Sequence, residues 1–280
     1  MMLKARKLTA LLLAVALVAT VATLAGCGTA KPAKTEPAKT EPAATTPAAK
    51  DLKLVTPGQL TVGSDTSFPP FESMNGDVAE GFDVDLMAAV AKELGLTSKF
   101  QTEGFDTLIP TLKAGGKFDV AASAMTITDE RKKEIDFSSP YIDSNQSIAV
   151  RKDFKFTDES SLSGKKVGAQ AGTTGLDWAK ENLKGANIVE FKTATDALSA
   201  LQAGNVDAVV NDLPVTAFLV KDASKGLVIA KEIPTGEQYG FAVSKENPEL
   251  TKGIDDALAK IKASGEYDTI YQKWFGTSAK

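Results

Sequence analysis

From residue 52 onward, short β-branched runs alternate with segments of helical periodicity, and this alternation confines the chain to an α/β architecture on a largely parallel sheet. Residues 60–63 read as a strand. A helix starting at Asp83 places Leu86, Met87, Val90, Ala91 and Leu94 on one face, and Gly95 suits its C-terminal cap. The chain then echoes itself. Residues 105–120 run through a helix (Leu108, Leu112), Ala114, Gly115 and a strand around Asp119; residues 195–210 do the same with Leu198, Leu201, Ala203, Gly204 and Asp207. Strand-like runs, 98–102 and 187–192, precede the two units. Helix, glycine turn and strand is common α/β grammar, so the echo alone leaves coincidence open. If real, it implies two similar lobes, each with a loop beyond a strand's carboxyl end, where such sheets bind ligands. Those loops are 123–128 and 211–214.

Upstream, Lys4, Arg6 and Lys7 precede an apolar stretch that ends in small residues before Cys27, the chain's one cysteine. These are the parts of a secretory signal peptide. Residues 8–25 approach the length of a membrane-spanning helix. Thr9, Thr20 and Thr23 confine the apolar core to 10–19, however, which suits a signal better. The expectation is a signal peptide over 1–26. LAGC at 24–27 resembles the lipobox of bacterial lipoproteins, which implies cleavage before Cys27 and its acylation, as by palmitate. Residues 27–53 then hold the lipidated cysteine and a linker. Its 31–50 stretch lacks Phe, Trp, Tyr, Val, Ile and Leu and repeats PAKTE, a composition that stays disordered. The rest is expected outside the cytoplasm, lipid-anchored to the cell membrane on its outer face or periplasmic side, since a lipid anchor can hold a soluble domain there.

Composition removes several functions. With 32 basic and 36 acidic residues the formal charge is −4, and the basic residues are scattered among acids. Nucleic acid is therefore not an expected partner, because affinity for phosphate backbones needs clustered Lys and Arg. The absence of histidine removes the commonest general base at neutral pH and every Ser-His-Asp or Cys-His site. It also removes imidazole metal ligands, and one lipidated cysteine leaves no thiolate site or disulfide. No catalytic residue, metal or cofactor is expected.

The remaining candidates cluster at strand ends. Residues 129–134 (DERKKE) form a charge run, and such runs are commonly solvated helix faces. Their position offers another reading: Thr128 can cap a short helix while Arg131 points back at the strand end, where its guanidinium could grip a carboxylate bidentately. Phe68 and Phe71 flank Pro69 and Pro70, and Phe105 follows Gly104. Each could be core, yet aromatics in turns sit where ligand sites are found. Asp65, just after the first strand, is a turn aspartate or a site residue. Asp212 ends the otherwise apolar strand that runs through 206–210, and a carboxylate there calls for a cation. Gly172, Thr173, Thr174 and Gly175 follow the strand-like run 166–169 and could cradle an anion through backbone N–H groups, although a P-loop lysine is missing.

Taken in order, VGSDTSFPPF (62–71), GFDVDL (81–86), FDTLIP (105–110), MTITDERKKEIDF (125–137), SPY (139–141) and YQKWFG (271–276) resemble solute-binding protein family 3 of ABC importers. The likeness runs over 61–276 and is similar to glutamine-binding and lysine/arginine/ornithine-binding proteins. It implies a two-lobed, type II periplasmic-binding-protein-like fold, each lobe a mostly parallel sheet flanked by helices, joined by two hinge strands. Residues 54–143 plus 237–280 would form lobe 1, and 144–236 lobe 2. The protein would be a monomer that closes on one free L-amino acid and delivers it to an ABC permease. By the matching motifs, Arg131 would grip the α-carboxylate with help from Thr126 and the Thr173 and Thr174 backbone. Asp212 and the Ala124 carbonyl, beside Ser123, would take the α-ammonium. Phe68 and Phe105 would sandwich the side chain, with Asp65 and Gln170 at its polar end. Family members carry Ser or Gly where Ala124 stands, and they differ at Asn211 and Gln170, where specificity is set. Asp65 favours a basic or amide side chain, and the aromatic pair suits a guanidinium or flat amide. The order of preference is arginine or lysine, then glutamine.

Three other readings compete. A dehydratase-like enzyme of the same fold would need a cleft acid of raised pKa, for which Glu103 is the candidate. A ligand-sensing domain would need a spanning helix, and none follows to Lys280. A structural or adhesive lipoprotein would not need the paired charged and aromatic loops.

Overall fold

The computed structural model describes residues 52–221 and 226–277, so the expected signal peptide, Cys27 and nearly all of the linker lie outside the described residues. Residues 59–137 contain β1 (Gln59–Ser64), β2 (Ser67–Phe68), β3 (Glu72–Asn75), β4 (Val78–Glu80), α1 (Phe82–Glu93), β5 (Thr97–Thr102), α2 (Phe105–Ala114), β6 (Val120–Ala121), α3 (Asp129–Glu134) and β7 (Asp136–Phe137). Between 142 and 239 lie β8 (Ile142–Arg151), β9 (Lys166–Gln170), α4 (Thr174–Asn182), β10 (Asn187–Phe191), α5 (Ala194–Gln202), β11 (Ala208–Asp212), α6 (Leu213–Val220) and β12 (Leu227–Tyr239). The chain ends with β13 (Ala242–Val243), α7 (Pro248–Ser264) and α8 (Glu266–Phe275).

Two five-stranded sheets carry the fold, in the orders β5-β1-β6-β13-β7 and β10-β9-β11-β8-β12. They are equivalent strand for strand. In the first, β1 runs parallel to β5 and β6, and β13 is antiparallel to β6; in the second, β9 runs parallel to β10 and β11, and β8 is antiparallel to β11. The echo in the sequence is therefore a repeated topology and not only shared grammar.

Side-chain alternation explains why helices cover both faces. Ile148, Val150, Val167 and Val210 share one core with Ala179 of α4, whereas Ala149 and Val209 share another with Leu198 and Leu201 of α5. The first sheet repeats the plan: Val62 and Val120 join Leu86 and Val90 of α1, while Ala121 joins Leu108 and Leu112 of α2. All five apolar positions read onto the first helix are buried, and Gly95 follows it in left-handed conformation with its N–H on the Lys92 carbonyl.

The lobes are joined by β8 and β12. These strands pair antiparallel from Tyr239 opposite Ile142 to Leu227 opposite Arg151. Their register breaks between Ile233 and Glu237; such an irregularity bends a strand and re-aims its side chains. Sequence reading did not anticipate the small antiparallel sheet β2-β3-β4, whose strands are two to four residues long and too short for a periodic signal. Among the described residues no helix is long and apolar enough to cross a membrane.

Candidate functional site

The loops after β6, β9 and β11 meet between the lobes around a small cavity. From the first lobe it is lined by Phe68, Phe105, Ser123, Ala124, Thr126 and Arg131. Gln170, Thr173, Thr174 and Asp212 line it from the second. The structure thus brings together every proposed site residue but Asp65, which lines the adjoining outer opening with Glu103, Asp106 and Lys192.

The charge run satisfies both of its readings. Asp129, Glu130, Lys132, Lys133 and Glu134 are exposed on α3, while Arg131 turns inward. Thr128 caps the helix, accepting from Arg131 N at 3.2 Å. The guanidinium donates from Nη1 to the Thr126 carbonyl at 2.6 Å and from Nη2 to the Gly172 carbonyl at 2.9 Å, and it lies 5.5 Å from the centre of the Phe105 ring. It makes no ion pair among the described residues. Burial lowers its pKa, against the pull of Asp212, Glu237 and Asp177, but an arginine remains charged. Two of its five N–H donors are held by carbonyls, leaving a cation with donors to spare at the cavity wall.

Asp212 differs from expectation in its partners. Instead of a cation, its carboxylate accepts from Gln146 Nε2 at 2.6 Å and from the Tyr239 hydroxyl. Neutral donors satisfy its lone pairs without cancelling its charge. Burial, with Glu237 nearby, raises its pKa to about 7, while the two hydrogen bonds and Arg131 act against the rise. It is fixed in place and still in want of a positive charge.

Ala124 has φ 45°, a left-handed conformation that a non-glycine residue adopts only under constraint. The constraint comes from below, where the Ala124 N–H donates to Asp83 Oδ2 at 2.8 Å and the same oxygen accepts from Tyr141 OH at 2.8 Å. Ser123 Oγ accepts from Asp65 N at 3.1 Å and donates to Glu72 Oε1 at 2.7 Å. Glu72 and Asp83 are fully buried. Burial raises both carboxyls, Asp83 to about 7 and Glu72 well above its ordinary range, the latter aided by repulsion from Asp83. The site rests on this acidic pair.

Thr173 caps α4, accepting from Leu176 N at 3.2 Å, so the start of that helix faces the cavity as expected. Gly172, at φ 76°, lies where the lobes come close: a Cβ there would stand 3.1 Å from Asp106 Cα. Asp65 and Gln170 meet each other across the cleft, Gln170 Nε2 donating to Asp65 Oδ2 at 2.7 Å. Ser67 donates to Asp65 Oδ1 at 2.7 Å, and burial raises the Asp65 pKa. Asn211 is buried beside the site, 3.4 Å from Thr216 Oγ1, and does not line the cavity. Glu103 fails the test set by the enzyme reading, because its bond with Lys117 lowers its pKa. A general acid poised near neutrality needs the opposite shift.

Sequence reading missed Gln146, Glu237 and Tyr239 on the joining strands, and the pair Glu72 and Asp83. A polar Gln146 two residues before the apolar run 148–150, and Glu237 and Tyr239 two apart on one strand face, were the available signals.

A family model for bacterial extracellular solute-binding proteins, family 3, matches residues 60–277. The chain belongs to that family. This solute-binding protein is 36% identical over 217 residues to the glutamine-binding protein GlnH of an ABC transporter in Bacillus subtilis, covering 76% of this chain and 79% of the relative. It is 35% identical over 216 residues to the arginine-binding periplasmic protein of Mannheimia haemolytica, covering 75% and 88%. The structure of an ancestral arginine-binding protein bound to glutamine matches with a TM-score of 0.75 and 42% identity, over 79% of this chain and 99% of that one. Two lobes around an interlobe cavity are thus the architecture of a family that binds solutes outside the cytoplasm.

Proposed function

We propose that the protein captures one free L-amino acid with a basic or amide side chain by hinge closure and delivers it to an ABC transporter permease. The observation that carries this reading is the placement of Arg131 and Asp212 on opposite sides of one cavity, each from a different lobe and neither neutralised by the other. A zwitterion needs both charges, and one lobe alone supplies only half. Solute therefore favours the closed state by differential affinity, as a population shift requires.

Arg131 grips the α-carboxylate with its remaining N–H donors and those of the α4 start. Asp212 and the Ala124 carbonyl hold the ammonium. Phe68 and Phe105 cover the side chain, whose far end meets Asp65 and Gln170. Asp65, Glu103 and Asp106 gather at that end, so arginine or lysine ranks ahead of glutamine. Relatives named for arginine and for glutamine support the same short range of solutes. The moving units are 54–143 with 237–280, and 144–236. A monomer tethered through an acylated Cys27 and the 27–53 linker would stay beside its permease, with no catalytic step of its own.

A thermal-shift panel of free amino acids tests the reading, since a solute at a hundred times its Kd adds about 2.7 kcal/mol of stability. A midpoint raised by arginine, lysine or glutamine supports it; a response to glutamate or apolar amino acids alone contradicts it.

A further inference from the structure

Glu237 is a carboxylate at this site that sequence and family likeness left without a role, and its surroundings are unusual. Its Oε2 accepts from Thr126 Oγ1 at 3.0 Å, Thr174 Oγ1 at 2.9 Å and Gln146 Nε2 at 3.1 Å. Those three donors stand on three separate pieces of chain: the loop after β6 in the first lobe, the start of α4 in the second, and the joining strand β8. Glu237 itself is on β12, the other joining strand, just past the break in register. The two threonine hydroxyls are 3.5 Å apart, so the carboxylate sits astride the seam.

We propose that Glu237 is the clasp of the closed cleft: one carboxylate oxygen on a hinge strand ties the Thr126 hydroxyl of one lobe to the Thr174 hydroxyl of the other. Two further cross-lobe bonds, Arg131 to Gly172 and Gln170 to Asp65, engage groups that a solute would contend for. Glu237 does not line the cavity; it faces the outer opening on the Arg131 and Trp178 side. Its bonds are therefore compatible with a filled site. Rotation of the lobes about the joining strands separates Thr126 from Thr174, so both bonds cannot survive opening. An interaction made in one state and broken in the other is what biases a two-state equilibrium. The acceptor is a carboxylate, and bonds to a charged acceptor are roughly twice as strong as neutral ones. Gln146 Nε2 also donates to Asp212 Oδ1 at 2.6 Å, which couples the clasp to the residue assigned to the ammonium. Glu237 is a positioning residue on this account, acting on affinity through closure.

Hydrogen exchange with mass spectrometry on the full chain in detergent, with no amino acid added, tests the clasp separately from the choice of solute. Local opening is read directly by exchange. Glu237→Ala is expected to raise exchange about threefold or more in the segments 126–131 and 172–177 together, with β1 and β9 unchanged. Glu237→Gln keeps an acceptor oxygen and is expected to give a smaller rise in the same two segments. Unchanged exchange in both segments, or a rise confined to β12, overturns the proposal. If Glu237→Ala loosens β1 and β9 as well, Glu237→Gln decides: a rise confined to the two segments upholds the clasp and none overturns it.

Discussion

Gln170 Nε2 and Asp65 Oδ2 lie 2.7 Å apart across the cleft, joining the last residue of β9 to the turn after β1. A solute whose side chain reaches this point must share or replace that bond. Asp65 keeps a negative charge for a cationic tail, whereas an amide tail needs only a hydrogen-bond acceptor. Asp65→Asn is therefore expected to weaken arginine or lysine binding by about 10- to 100-fold, the span of a lost charge-assisted bond of roughly 1.5–3 kcal/mol, and to weaken glutamine binding less. Calorimetric titration of the variant with each amino acid checks this; equal losses for both would remove Asp65 from selectivity.

In its proposed role, Asp212 would make binding depend on pH. Its pKa of about 7 in the folded protein lies above the ordinary aspartate value of 3.8, so between these values the native state holds a proton that the unfolded chain has lost. The associated stability is complete below about pH 4 and is lost as pH rises through 7. An ammonium held there needs the ionised form, so binding would expel that proton. Affinity is expected to fall about tenfold per unit as pH drops from 7 to 5, with proton release visible as a binding enthalpy that varies with buffer. Asp212→Asn should remove the pH dependence along with most of the affinity. A flat profile in the wild type would count against ammonium recognition at Asp212.

Gly172 adopts φ 76° and faces Asp106. Left-handed backbone costs an alanine about 1–2 kcal/mol, and the new Cβ would press on Asp106 Cα at 3.1 Å when the lobes close. Gly172→Ala is expected to lower the urea midpoint modestly and to weaken solute binding by a further factor of about ten. Reduced stability with unchanged affinity would mean that the Asp106 contact yields without hindering closure.

Asp83 supports Ala124 from beneath the site. Asp83→Ala strands the buried Ala124 N–H and Tyr141 hydroxyl and is expected to cost about 3 kcal/mol, at roughly 1–3 kcal/mol for each orphaned group. Asp83→Asn keeps an acceptor oxygen and should cost less. Denaturant unfolding of both variants is the check, and equal losses would show that the charge and not the hydrogen bonds supports the loop.

Arg131 was legible because several signals coincided: a capping Thr128, a short helix at a strand end, and a family motif running through the same residues. The two-lobed plan was legible because helix, glycine turn and strand recur, and the two sheets repeat that order down to their antiparallel fourth strands. Glu237, Gln146 and Tyr239 were not, because each lies on a strand between lobes, and its partners converge only when the lobes meet. Glu72 and Asp83 are 11 residues apart in sequence and act on the site through the Ser123 hydroxyl and the Ala124 backbone N–H, a route no local pattern records. The cation expected beside Asp212 proved to be a hydroxyl and an amide, since burial can be satisfied by neutral donors while leaving the charge for a ligand.

The central claim is that Arg131 and Asp212 hold the two ends of one amino acid. Titration calorimetry should compare the amino acid that gives the largest thermal shift with the amine of the same side chain that lacks the α-carboxylate, on the wild type and on Arg131→Ala. Micromolar or tighter binding of the amino acid is expected, with at least about 30-fold weaker binding of the amine, as loss of a buried charge partner of about 2–5 kcal/mol implies, and no remaining difference on Arg131→Ala. Wild-type binding of the amine within tenfold of the amino acid would contradict it.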